Sequence, residues 1–210
     1  MKATPIFIES AEEFSESDKK EISALMQRVF SDATEILGIT TSVSFTFYRF
    51  GKKNGGFTQA KDWIASTIPK GEIDYIDLEG MLYHELHHIA RGYCGYMEEG
   101  EHYLLNSFFS EGLATTLEIE KQPKDRITTH GEYDLDLIKE WLPQAKDELY
   151  DTENYDYTAW FLGEGRPKQL GYKIGKYLVD EVRKLHPELT HKDLVRMDAK
   201  KLLELSEVTI

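Results

Sequence analysis

Ile76-Asp77-Leu78-Glu79-Gly80-Met81-Leu82-Tyr83-His84-Glu85-Leu86-His87-His88-Ile89-Ala90-Arg91-Gly92 is the stretch on which the reading of this chain turns. It has no proline, and its one internal glycine is Gly80. Leu78, Met81, Leu82, Leu86 and Ile89 recur at helical spacing, so the stretch is predicted to be a helix. Asp74 and Asp77 stand where caps belong, and Gly92 where a helix stops. On that helix His84 and His88, four residues apart, lie one above the other and can aim two imidazole nitrogens at one point. Glu85 sits about 100° round the axis from His84, beside that point rather than on it. Two metal ligands and a base from little more than one turn is the H-E-x-x-H arrangement. His87 points away from the line shared by His84 and His88. It is expected to face solvent or to hydrogen-bond, not to ligate.

A hydrolytic zinc site takes three protein ligands and keeps a fourth position for water. The extended pattern H-E-x-x-H-x-x-G-x-x-H fails here, because Arg91 replaces its glycine and Cys94 its third histidine. Cys94 offers a thiolate, but two His with a Glu, or three His, are the usual hydrolytic sets. The preferred third ligand is Glu111, in Ser110-Glu111-Gly112-Leu113-Ala114, 23 residues after His88. That interval lets the first helix end, a loop from Tyr93 to about His102 turn, and a second helix pass alongside. Gly112 and Ala114 are small enough to let the two helices approach closely.

These residues together resemble the gluzincins, metallopeptidases whose third zinc ligand is a Glu on the next helix. The resemblance is closer to the YjaZ-like predicted zinc-dependent proteases. It is carried by His84 to Arg91, by Ser110 to Ala114, and by Gly171-Tyr172-Lys173-Ile174-Gly175 with Trp160 and Gly163 upstream, and runs from about residue 20 to the C-terminus. It implies a zincin fold, one zinc per chain, and hydrolysis of peptide bonds. Many gluzincins place a Tyr, with a Gly three residues later, over the metal. Tyr172 is the matching candidate, donating a hydrogen bond to the oxyanion of the tetrahedral intermediate, an interaction of about 3–4 kcal/mol in a dry site. His102 and His130 are lesser candidates for that role. A bound zinc would lower the pKa of its water from 15.7 to about 7, and Glu85 would take the proton and pass it to the leaving amine. Thr115 and Glu118 are candidates to orient the imidazoles.

Composition agrees with a soluble enzyme. A chain of 210 residues can bury a full core. Asp and Glu number 38 against 25 Lys and Arg, a formal charge of −13, which argues against nucleic-acid binding and weakly favours neutral or cationic substrates. A single cysteine excludes an internal disulfide and fits a reducing compartment. Met1 to Ile8 is too short in apolar residues for a signal peptide, and no run approaches a membrane span. The expected location is the cytoplasm, and the expected partner is a peptide or protein substrate.

Around the motif, Ile6 to Ile8 is predicted as a short strand. An amphipathic helix built on Ile22, Leu25, Met26, Val29, Phe30, Ala33, Ile36 and Leu37 should end at Gly38. Val43 to Phe50 and Trp63 to Ile68 read as strands, with Gly51 to Gly56 as a turn. The segment Phe57 to Ile68 is a candidate edge for pairing with an extended peptide. Later helices are expected over Leu135 to Leu149, kinked at Pro143, over Lys173 to Leu185, and after the caps Thr190 and Asp198. Tyr150 to Arg166 reads as irregular and is expected to line the substrate side. The predicted fold is α+β and zincin-like. It forms one domain over 1–210, with an N-terminal α/β part to about 120 and a helical part from about 121. The predicted function is a zinc peptidase with Glu85 as base. The alternative is a catalytically silent metal-binding protein that holds a peptide on the same fold.

Overall fold

Buried and half-buried residues alternate along Val43–Arg49, which makes this segment a strand with one covered face. In the computed structural model, which describes residues 1–9, 13–95, 102–123, 132–152 and 155–210, it is the second of four strands. These are β1 (Ala3–Ile8), β2 (Val43–Arg49), β3 (Gly55–Ala60) and β4 (Trp63–Ile68). They form one sheet in the order β1-β2-β4-β3. β1, β2 and β4 run parallel, and β3 is antiparallel to β4. Among the described residues the α-helices are, in chain order, α1 (Glu16–Leu37), α2 (Tyr75–Arg91), α3 (Leu104–Lys121), α4 (Leu135–Trp141), α5 (Leu170–Leu185), α6 (His191–Leu194) and α7 (Ala199–Ser206). The fold is α+β. Two compact units divide it: Met1–Tyr96 with Glu120–Gln122, and Met97–Ile119 with Pro123–Ile210. Among the described residues no helix is long and apolar enough to cross a membrane.

In the first unit α1 begins with a capping box, Ser15 accepting from the Asp18 amide and Asp18 from the Ser15 amide. It ends at Gly38 in the left-handed conformation, φ 68°. Its buried set is the predicted one, except that Ile36 is half-buried. Phe30 meets Phe45 of β2 edge-on, with ring centroids 6.4 Å apart. α2 is tied to α1 at two positions one turn apart. Arg28 makes a bidentate pair with Glu79 at 2.7 and 2.9 Å, and the Tyr83 hydroxyl donates to Asp32 at 2.7 Å. Asp74 caps α2 by accepting from the amides of Ile76 and Asp77, and Gly92 closes it at φ 78°. Both ends of the motif helix are thus set by short-range sequence.

The start of β3 was not expected: Phe57 to Ala60 lie inside the candidate pairing segment, but the two residues before them do not. Gly55 and Gly56 read as turn residues, yet they begin it. Glycine weakens a strand, but it is admitted where another chain segment must come close. A Cβ on Gly56 would stand 2.5 Å from both Met81 Sδ and Glu85 Cγ. The predicted peptide-pairing segment Phe57 to Ile68 also resolves into two parts. β4 lies inside the sheet between β2 and β3, and only β3 is at an edge. At Thr58 the β3 carbonyl already accepts from the Gly95 amide, 2.9 Å away.

The second unit is helical. Phe108, Phe109 and Leu113 of α3 pack with Trp160, Phe161, Ile174 and Leu178 in a continuous apolar core. Gly112 was expected to let the helix of His84 come close. Its contact is with a different helix. A Cβ there would collide with the Gly175 backbone of α5, and a Cβ on Gly175 would collide with the Phe108 carbonyl of α3. The second glycine of Gly171-Tyr172-Lys173-Ile174-Gly175 therefore has a packing reason: α3 and α5 touch backbone to backbone. Neither helix can move away without opening the core, so Gly112→Ala or Gly175→Ala should each cost about 1–3 kcal/mol or more. Urea denaturation should show the midpoint falling with the slope unchanged.

Three other elements differ from expectation. Pro143 ends α4 instead of kinking it: the helix stops at Trp141 and a 3-10 turn, Leu142–Ala145, follows with the proline in its first turn. α5 starts three residues early, at Leu170, after Gln169 in the left-handed region at φ 60°. The Tyr150 to Arg166 stretch contains a π-helical turn, Thr158–Leu162, closed by Gly163 at φ 87°. Thr190 and Asp198 cap α6 and α7 as predicted.

Candidate metal centre

One turn of α2 carries the two imidazoles. The His84 and His88 rings have centroids 4.8 Å apart and lie nearly perpendicular, at 81°. His88 is buried and also packs on the Tyr93 ring, with centroids 5.1 Å apart, whereas His84 is half-buried. His87 is completely buried, so the solvent-facing reading of it is overturned. An amphipathic helix faces solvent only along a stripe, and His87 lies outside that stripe in α2.

Glu85 is also buried, at 6% exposure, and β3 encloses it. The Thr58 hydroxyl stands 2.8 Å from Oε2 and 3.1 Å from the Glu85 backbone carbonyl. Oε1 occupies space that a side chain at Gly56 would take, since a Cβ there would be 2.7 Å from it.

Glu111 lies on α3, 4% exposed. Two phenols feel its charge. Burial pushes the Tyr157 hydroxyl far above the ordinary tyrosine range, and the Glu111 carboxylate, Tyr172 and Tyr155 push it further. Tyr155 is raised by burial and by Glu111, against a lowering contact with Ser107, whose hydroxyl is 2.9 Å away. Both shifts favour the neutral phenol. Tyr172 hydrogen-bonds to Tyr157, and its ring stands edge-on to Phe161 at 5.3 Å, while Tyr157 stacks on Phe161 at 4.6 Å. Tyr155 and Tyr157 were not singled out from sequence. Nothing in Tyr155-Asp156-Tyr157 separates them from the other tyrosines of the twelve in the chain.

His84, His88 and Glu111 come together: one ligand atom from each lies within 4.8 Å of the others. Donor atoms around a tetrahedral zinc at about 2.1 Å stand about 3.4 Å apart, so small side-chain adjustments would close this set on one ion. Two neutral imidazoles and one carboxylate suit zinc and would leave a net charge of +1 with a divalent ion. Among the described residues no other group of three or more His, Cys, Asp or Glu has this geometry. Cys94 is buried and lies outside the set, and half-buried His102 lies outside it as well. His130 lies outside the described residues. Thr115 Oγ1 is buried with no hydrogen-bond partner among the described residues, so it does not anchor an imidazole.

The family described as "Predicted Zn-dependent protease (DUF2268)" matches residues 11–204. No curated protein matches the chain.

Proposed function

The chain belongs to that predicted Zn-dependent protease family, and from this premise we propose that it is a zinc-dependent peptidase. In this reading His84, His88 and Glu111 hold one zinc, Glu85 is the general base, and the substrate is a peptide or protein. The observation that carries it is the gathering of three ligand atoms within 4.8 Å, with a buried carboxylate adjacent in sequence to one of the ligands. Bound there, zinc would supply Lewis acidity and lower the pKa of a coordinated water to about 7. The remaining steps belong to side chains of this chain. Glu85 takes a proton from the attacking water and later delivers it to the leaving amine. Tyr172 donates its hydroxyl proton in a hydrogen bond to the oxyanion as charge develops. Its bond to Tyr157 and its edge-on contact with Phe161 restrict where that hydroxyl can go. β3, at the sheet edge and against Glu85, is the strand on which an extended substrate would add, except at Thr58, whose carbonyl already accepts from the Gly95 amide.

Two measurements test the reading: metal content of the purified protein, and digestion of a random peptide library followed by mass spectrometry. Zinc at one equivalent with new peptide termini supports it. A metal-free protein that takes up no added zinc ends it. Tyr172→Phe should lower kcat by about 100- to 1,000-fold with little change in KM, because the hydrogen bond is needed only as the oxyanion forms.

A further inference from the structure

A general base on a helix is only as good as the rotamer that presents it. Glutamate has three side-chain torsions, and helical geometry does not choose between their wells. In this protein a strand makes the choice. Thr58 is the one buried residue of β3, and its hydroxyl is 2.8 Å from Glu85 Oε2 and 3.1 Å from the Glu85 backbone carbonyl. A hydroxyl has one proton to give, and the closer, charged oxygen is the stronger acceptor. Two residues earlier on the same strand, Gly56 leaves the room in which Oε1 and Cγ of Glu85 lie. Residues two apart on a strand share a face. One face of β3 thus grips one carboxylate oxygen and makes space for the other.

We propose that Thr58 is the positioning residue of Glu85, and that Gly56 completes the cradle. This rests on Glu85 being the base. With Oε2 engaged by Thr58, Oε1 is the oxygen left to receive the proton of water. The sheet edge therefore does more than bound the site: it selects the reacting atom of the base. A misplacement of about 1 Å at a reacting group costs about 100-fold in rate, so a free Glu85 rotor would be a poor base even with every metal ligand in place.

The test uses the full-length, zinc-loaded protein. Thr58→Val keeps the shape and removes the donor; Thr58→Ser keeps the donor. Thr58→Val should lower kcat about 10- to 100-fold, with KM and zinc content unchanged, and Thr58→Ser should return most of the rate. Gly56→Ala, which leaves the hydroxyl in place and pushes the carboxylate from the other side, should lower kcat comparably. It serves as the second variant should Thr58→Val fail to fold. A readout independent of turnover is the carbon-13 resonance of the Glu85 side-chain carboxyl in the metal-free protein, assigned by its loss in Glu85→Gln. It should move in Thr58→Val and stay in Thr58→Ser. Equal kcat in wild type and Thr58→Val, no rescue by Thr58→Ser, or an unmoved resonance would each overturn the proposal. The two readings fail separately. A wild type that binds zinc but cleaves nothing removes the peptidase reading while the resonance still reports on Thr58. An active wild type silenced by Glu85→Gln but indifferent to Thr58→Val removes this one.

Discussion

Glu85→Gln should retain one zinc and lose about 100- to 10,000-fold in kcat, the range that a positioned general base contributes. The amide has the volume and shape of the carboxylate, so the α2 packing that buries position 85 is preserved. Its oxygen still accepts from Thr58. What it lacks is basicity: it cannot take a proton from water at neutral pH. Because the change lies beside the ligand set and not in it, metal affinity and activity should separate. Elemental analysis reads the first and single-turnover peptide cleavage the second. A variant as fast as wild type would remove Glu85 from the mechanism. A wild type that binds zinc and peptide and cleaves nothing would favour the silent metal-binding alternative.

Removing Glu111 should act on the metal itself. Glu111→Ala should weaken zinc binding by more than about 100-fold, since even partners that merely orient a ligand cost about 10- to 100-fold. Two effects add. One of three donors is lost, and so is the only anionic one, which offsets the ion's charge in a buried site. Competition against a chromophoric chelator measures the affinity. The same substitution removes the charge that helps burial hold the Tyr155 and Tyr157 hydroxyls above their ordinary range. The Tyr155 phenol should then titrate at lower pH than in the wild type, read by ultraviolet difference spectra of the metal-free protein. Wild-type affinity in Glu111→Ala, combined with zinc loss in Cys94→Ser, would move the third ligand to Cys94 and end the assignment made above.

Much of the site was legible before any coordinates. The spacing of His84 and His88 implied shared geometry, and Asp74 and Gly92 marked the helix that supplies it. Ser110-Glu111-Gly112-Leu113-Ala114 marks Glu111 as a candidate, but the small residues do not say which helix meets Gly112. Its missing side chain serves the α3–α5 contact at Gly175. The start of β3 was illegible because two glycines signal a turn when read locally. At Gly56 the missing side chain leaves room for a carboxylate 29 residues further on, that of Glu85. The solvent-facing alternative for His87 fails for a related reason, a polar residue on an amphipathic helix reading as exposed unless its neighbours in space are known, while its place outside the ligand set agrees with the spacing.

What the amino-acid order determined alone was everything within one helical turn: two imidazoles on one line, a carboxylate beside them, a cap before and a glycine after. Backbone repeat sets those relations, and it is the same in any fold. Only tertiary structure decided which distant groups meet them. Glu111 reaches the imidazoles, Thr58 and Gly56 adjoin the Glu85 carboxylate, and the phenols of Tyr155 and Tyr157 feel the charge of Glu111. Such meetings depend on how whole elements pack to bury their apolar faces, and no local spacing encodes that outcome.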